Sequence, residues 1–130
     1  MGWLAKLLGN QGERLAARYL RRQGYRILSR QHSSRRGEID IVALDAECVV
    51  FVEVKTRSSR ATGHPAEAVD HVKQKKLTQL ALVFLKKHGL LEQRARFDVV
   101  AIINPDDGSQ VEIEHFQNAF APVGDGQMFV

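Results

Sequence analysis

Two apolar runs joined by a short polar link, GEIDIVALDAECVVFVEVKTR at residues 37–57, constrain the fold of this chain more than any other segment. Each run has the length of a strand, and side chains alternate across a strand, so residue parity sorts the pair into two faces. Ile39, Ile41 and Ala43 with Val50, Val52 and Val54 make one face apolar throughout. On the other face Val42, Leu44, Val49 and Phe51 are apolar near the link, while Glu38, Asp40, Glu53 and Lys55 occupy the far end. An even-numbered loop, such as a two-residue turn at Asp45 and Ala46, brings these two sets to the same side. A hairpin apolar on both faces is normally covered on both, so the four charges are expected at the edge of a core rather than on an open surface.

The covers are legible elsewhere in the chain. From Gly9 to Gly24, GNQGERLAARYLRRQG has helical spacing: Arg14, Arg18, Arg21 and Arg22 share one arc, and Leu15, Ala16, Ala17, Tyr19 and Leu20 fill the other. Glu13 falls on the apolar arc, where a carboxylate also suits the first turn of a helix. Gly24 is placed to cap the C-terminus. YRILSRQH reads as a strand followed by the polar loop SSRRG. After RSSRATGHP, a second helix is expected, with Pro65 and Glu67 in its first turn and Val69, Val72, Leu77, Leu80, Ala81 and Phe84 at helical spacing up to Gly89. RFDVVAII and QVEIEHF give two last strands around the turn NPDDGS. The order is α-β-β-β-α-β-β, an α/β fold with a mixed sheet flanked by helices. A single domain is expected over residues 1–130, with a core over about 9–117 and an irregular tail over about 118–130.

With 130 residues and one cysteine, Cys48, the chain forms no internal disulfide, as suits a reducing compartment. MGWLAKLLG is interrupted by Lys6 and lacks a cleavage site, and no run has the length of a membrane span, so a cytoplasmic protein with no membrane partner is expected. The net charge of +4 is unevenly spread: residues 1–60 carry 12 Lys and Arg against 6 Asp and Glu. That excess suits either a surface for phosphate backbones or a solvated helix face.

Carboxylates at the rim of a core are costly unless a positive charge joins them. Opposed residues on paired strands have Cβ atoms about 4.5–5.5 Å apart, close enough for Asp40 and Glu53 to share a hard cation. With few protein carboxylates, and phosphate and water completing the shell, Mg²⁺ is the natural ion and Mn²⁺ its substitute. Metal-assisted hydrolysis of a phosphodiester suits such a site. Lys55, on the same side as Glu53, is suited to stabilising developing negative charge rather than to general-base work. The alternative is a salt-bridged strand end with no chemistry.

GEID followed by FVEVKTR resembles the core of the PD-(D/E)xK, restriction-endonuclease-like phosphodiesterases, with Asp40 as first acid and Glu53, Val54 and Lys55 as the ExK element. GERLAARYL, GYRIL, RRGEIDIVA, VVFVEVKTR and RFDVVAI together resemble the bacterial YraN-like family, related to archaeal Holliday-junction resolvases, over roughly residues 9–103. The resemblance implies an αβββαβ core, metal ligation by Asp40, Glu53 and the Val54 carbonyl, Lys55 as the catalytic lysine, and Glu13 as a further acid from the first helix. It makes Gln74 the polar residue that follows ExK, although a solvent-facing helix explains Gln74 equally well. Glu38 belongs to the pattern without a role. Gln31 stands where Asn is expected, and Arg36 where Gly is common.

The five histidines are scattered without ligand spacing, so zinc is not expected. Asp98 suits a salt bridge to Arg96 or Arg57. Arg35, Arg36, Arg57, Arg60, Lys73, Lys75 and Lys76 flank the acidic cluster in sequence and, with Gln74, are the candidate nucleic-acid contacts, giving affinity through phosphates rather than base reading. The expected function is a Mg²⁺- or Mn²⁺-dependent nuclease acting on DNA, with branched DNA suggested by the resolvases. The alternative is a module that keeps the nuclease fold and binds nucleic acid or protein without cutting. Resolvase-like geometry implies a homodimer, for which the C-terminal stretch with Phe116, Phe120 and Phe129 offers apolar surface, although a loosely packing segment explains these residues equally well.

Overall fold

The polar link at Ala46–Glu47 closes a hairpin whose flanking pair is Asp45 with Cys48, so the turn sits one residue later than expected but keeps the even count that fixes side-chain parity. The computed structural model describes residues 2–58, 69–105 and 107–124, with residues 2–9 described by their backbone alone. The order is α1 (Gly2–Arg22), β1 (Arg26–Ser34), β2 (Gly37–Asp45), β3 (Cys48–Arg57), α2 (His71–Lys87), β4 (Ala95–Ile103) and β5 (Glu112–Phe120). The strands form one mixed sheet in the order β1-β2-β3-β4-β5, antiparallel except where β3 and β4 pair in parallel. A parallel pair needs a crossover, and α2 lies on it.

Each helix covers one face. Ala16, Ala17 and Leu20 of α1 are fully buried against Ile41, Ala43, Val50, Val52, Val100 and Ile102, and Arg14, Arg18, Arg21 and Arg22 are exposed as the helical wheel requires. Leu77, Leu80, Ala81, Phe84 and Leu85 of α2 pack on Val42, Val49, Phe51, Phe97 and Val99. Ile39 departs from its expected face: it joins the α2-side cluster, whereas Ile41 joins the α1 side. Strand β2 therefore turns over between them, at Asp40.

The helix bounds differ from the sequence reading. α1 begins at Gly2, a full two turns before Gly9, and ends as expected: Gly24 has φ 92°, with Tyr25 N–H donating to Leu20 O at 2.9 Å and Gly24 N–H to Arg21 O at 3.0 Å. α2 begins at His71, capped by Asp70, whose side chain accepts from Lys73 N–H at 2.8 Å. Val69 precedes the helix and is buried, and Val72, assigned to the apolar stripe, is 77% exposed. Pro65, Glu67, Arg60, His64 and Phe129 lie outside the described residues. The SSRRG loop contracts to a turn at Arg35–Arg36, and β5 runs to the buried Phe120, three residues into the expected tail.

Asp98, fully buried on the α1 face, anchors the β4 and β5 side of the sheet. It accepts from Arg96 Nε at 2.9 Å and Asn118 N–H at 2.9 Å and contacts His115 Nε2 at 2.7 Å. Arg96 in turn reaches Tyr25 Oη at 2.8 Å and Asp45 Oδ2 at 3.0 Å, so of the two expected partners Asp98 takes Arg96. Burial alone would raise the Asp98 pKa, but these donors outweigh it and hold the carboxylate below its usual range. No helix among the described residues is long and apolar enough to cross a membrane.

Candidate functional site

The β2–β3 ladder runs from Asp45 with Cys48 to Ile41 with Val52 and stops there. β2 remains paired with β1 as far as Gly37, and β3 with β4 as far as Arg57. The two central strands therefore part, and Asp40 and Glu53, next in register, stand at the fork. Asp40 Oδ2 accepts the Val54 N–H at 2.8 Å, a side-chain bond at the place where the ladder has ended. The Asp40 carboxyl also meets the Glu53 side chain. The sequence reading placed these two acids toward one another, and the structure brings them together.

Helix α1 delivers a third acid. Gly12 packs so closely on β3 that a Cβ there would stand 2.6 Å from Thr56 Oγ1. Its neighbour Glu13 is thereby turned inward, 7% exposed, with Oε1 buried and without a hydrogen-bond partner. Carboxylate oxygens of Glu13, Glu38 and Asp40 lie within 4.8 Å of one another. Glu38, which the sequence reading set at the same end of the hairpin without a role, thus enters the cluster itself. The hinge is Gln31, at φ 52° in the left-handed region, where the chain between two ladder pairs is bent and its amide is brought to Glu13 and to Asn10 Oδ1. Asn tolerates that conformation better than Gln, which gives a physical reason for the Asn expected at this position.

So many carboxylates under one roof cannot all ionise cheaply. Burial, then the Glu53 charge, push the Asp40 pKa up to about 8, and burial likewise raises Glu13. Glu53, 5% exposed, is covered at Oε2 by the Lys73 ammonium, with Lys55 Nζ at 3.6 Å. These two ammonium groups supply the positive charge that faces the buried oxygen. Burial would lower the Lys73 pKa, but the carboxylate beside it more than reverses this.

Lys73, a candidate phosphate contact from its sequence position, is placed by the first turn of α2 with its ammonium on Glu53. Gln74 is also engaged, donating from Nε2 to Val69 O at 2.7 Å, which fixes the entry to α2. Arg35, Arg36, Lys75 and Lys76 are exposed, and the Lys76 stem lies over Gly37, with Cε 2.9 Å from where a Cβ would be. Arg57 is half-buried with interactions of its own, and Arg60 lies outside the described residues.

The donor set fits a hard divalent cation. It is all oxygen, it is short of positive charge, and it includes a buried oxygen, Glu13 Oε1, with nothing to bond. The lever that moves Glu13 into place, Gly12 against Thr56, pairs residues 44 positions apart and carries no short-range sequence signal.

Residues 12–102 match the model of a family described as "Uncharacterised protein family UPF0102". The chain is 52% identical to a UPF0102 protein of Trichlorobacter lovleyi over 114 residues, 87% of this chain and 89% of that one. It is 45% identical to one of Chlorobium phaeobacteroides over 124 residues, 92% of this chain and 98% of the relative. A Geobacter sulfurreducens relative is 49% identical over 117 residues, covering 88% and 89%.

Proposed function

The chain belongs to the uncharacterised protein family UPF0102, and from that premise we propose that it is a divalent-cation-dependent nuclease of the PD-(D/E)xK kind, hydrolysing phosphodiesters in DNA. The observation that carries the reading is the forked carboxylate cluster, in which burial and the Glu53 charge push the Asp40 pKa up to about 8 while the buried Glu13 Oε1 lacks a hydrogen-bond partner. A fold does not need such a cluster, and its cost makes sense if a cation joins it. Asp40 and Glu53, with the Val54 carbonyl, would hold Mg²⁺ or Mn²⁺, and Glu13 lends a further carboxylate. The ion would supply Lewis acidity and a lowered pKa for bound water.

The side chains themselves do the rest. Lys55, beside Glu53 at the solvent edge, is placed to stabilise the negative charge that grows on the phosphate. Lys73 holds the Glu53 side chain in the fork. Asp40, tied to the Val54 N–H, keeps its orientation whether or not it is protonated. Exposed Arg35, Arg36 and Lys76, at the same end of the sheet, suit a phosphate backbone approaching the fork.

The test is cleavage of linear, single-stranded, flapped and four-way DNA with Mg²⁺ or Mn²⁺. Cleavage is expected in the wild type and a loss of at least about 100-fold in Asp40→Asn and Lys55→Ala, with far-UV circular dichroism unchanged. Robust cleavage by Asp40→Asn would remove the site. The Lys73 contact with Glu53 favours a second reading, a module that binds nucleic acid without cutting. It predicts salt-dependent DNA binding and no metal-dependent turnover.

A further inference from the structure

We propose that the cleft between the edge strand β1 and the last turn of α2 docks an acidic, extended segment of a protein partner. The segment adds to β1 as a sixth strand, sets an aliphatic side chain on Leu28, Phe84 and Leu90, and brings a carboxylate to Lys87 and His88. The cleft holds about 540 Å³, within the range of ligand pockets, about 300–1,000 Å³. β1 is the terminal strand of the sheet, and among the described residues its backbone makes no hydrogen bond to any element but β2. Its open edge offers main-chain partners that an extended peptide can use and a nucleic acid cannot. Leu28, which the β1–β2 register skips, is 38% exposed, and Phe84 meets His32 edge-on at 5.2 Å.

Charge selects the occupant. Lys87 and His88 line the cleft with His32, and none of the described residues lining it is acidic. Basic residues in the last turn of a helix commonly answer its free carbonyls. Here the carbonyls of Phe84, Leu85 and Lys86 already accept from the N–H groups of His88, Leu90 and Gly89, at 3.1, 2.7 and 3.3 Å. Lys87 is left without an ion pair among the described residues. His32 feels the resulting field: burial, then the charges of Lys87 and His88, lower its pKa. A second copy of β1, paired antiparallel about Leu28, would set Arg26 opposite Arg30 and be repelled, whereas an acidic strand meets both favourably. Lys87 stands 14 residues along α2 from Lys73, about 21 Å, so the cleft is separate from the carboxylate fork.

The experiment titrates the isotope-labelled full chain, by heteronuclear NMR, with a synthetic peptide alternating Glu with Val and Leu. Two control peptides carry Lys for each Glu, or N-methyl groups that block strand pairing. Amide shifts are expected at residues 28–32 and 87–90 with the acidic peptide alone. Lys87→Glu should weaken its binding by at least about tenfold and admit the Lys peptide, a gain that only a folded chain can show. Lys86→Glu, the same charge change off the cleft, should leave the affinity within about twofold. No shift, equal binding of either control peptide, or equal losses in Lys86→Glu and Lys87→Glu overturns the docking site. A single-stranded oligothymidylate that binds the same amides more tightly than the peptide also overturns it. None of these residues belongs to the fork, so the nuclease reading stands or falls separately.

Discussion

Asp40 concentrates the conflict between stability and chemistry in one side chain. Its pKa rises from 3.8 to about 8 on folding, first through burial and then through the Glu53 charge. Between those values the folded chain holds a proton that the unfolded chain has released, so this group makes stability fall as pH rises. The effect begins near pH 4 and is complete once pH passes about 8, with a ceiling of about 6 kcal/mol at about 1.4 kcal/mol per pH unit. Asp40→Asn keeps an acceptor for the Val54 N–H and removes the charge. In chelator at pH 8.5 it should therefore melt several degrees above the wild type, with the gap closing at pH 5; equal melting temperatures at both would show that the fork is not strained by charge. Divalent cations should narrow the gap by stabilising only the wild type. Asp40, Glu53 and Lys55 were legible in the sequence because strand parity alone places them. Lys73 was not, because what aims it is the Asp70 cap, which starts α2 at His71 instead of near Pro65.

At the scale of elements, the placement of Glu13 depends on how closely α1 lies on β3. In a free helix, Gly12→Ala would be favourable by about 1 kcal/mol. Here the added Cβ would meet Thr56 Oγ1 at 2.6 Å, while Thr56 Cβ stands at 4.0 Å and Val54 Cγ1 at 3.8 Å, ordinary contact distances. The single substitution should therefore push the helix outward, costing about 1–3 kcal/mol and weakening Mn²⁺ binding as Glu13 withdraws. Adding Thr56→Ala removes the clashing oxygen and should restore both. A double-mutant cycle by denaturant unfolding checks this, and a coupling near zero would mean that the contact does not set the helix position. The order of elements and both buried helix faces could be read from periodicity, since Ala16, Leu20, Leu77 and Phe84 recur at helical spacing. The turning over of β2 could not: it lies opposite Gln31, whose left-handed conformation residue type leaves undetermined.

Over the whole molecule, the sheet brings together at one end what the sequence keeps apart. The Arg35–Arg36 turn, the start of β2 and the first turns of α2 meet there, as the Lys76 stem over Gly37 shows, whereas Lys86 and Lys87 sit at the opposite end of α2. Gly37, at φ 142° and under that stem, is the residue that makes the approach feasible. If a nucleic-acid backbone follows this end toward the fork, each phosphate neutralised releases counterions, and the logarithm of the affinity falls with the logarithm of salt at about 0.9 per contact on duplex DNA. Replacing Arg35 and Arg36 together by Ala should then reduce that slope by about 1.8. Replacing Lys86 and Lys87 adds the same charge change at the wrong end and should leave the slope alone. Fluorescence anisotropy in chelator from 50 to 200 mM salt separates the two. Equal losses from both pairs would mean that net charge, and not this end of the sheet, governs binding. A loss confined to Arg35 and Arg36, with Mn²⁺ binding unchanged, would mark the β1–β2 turn as the element that guides DNA to the carboxylates.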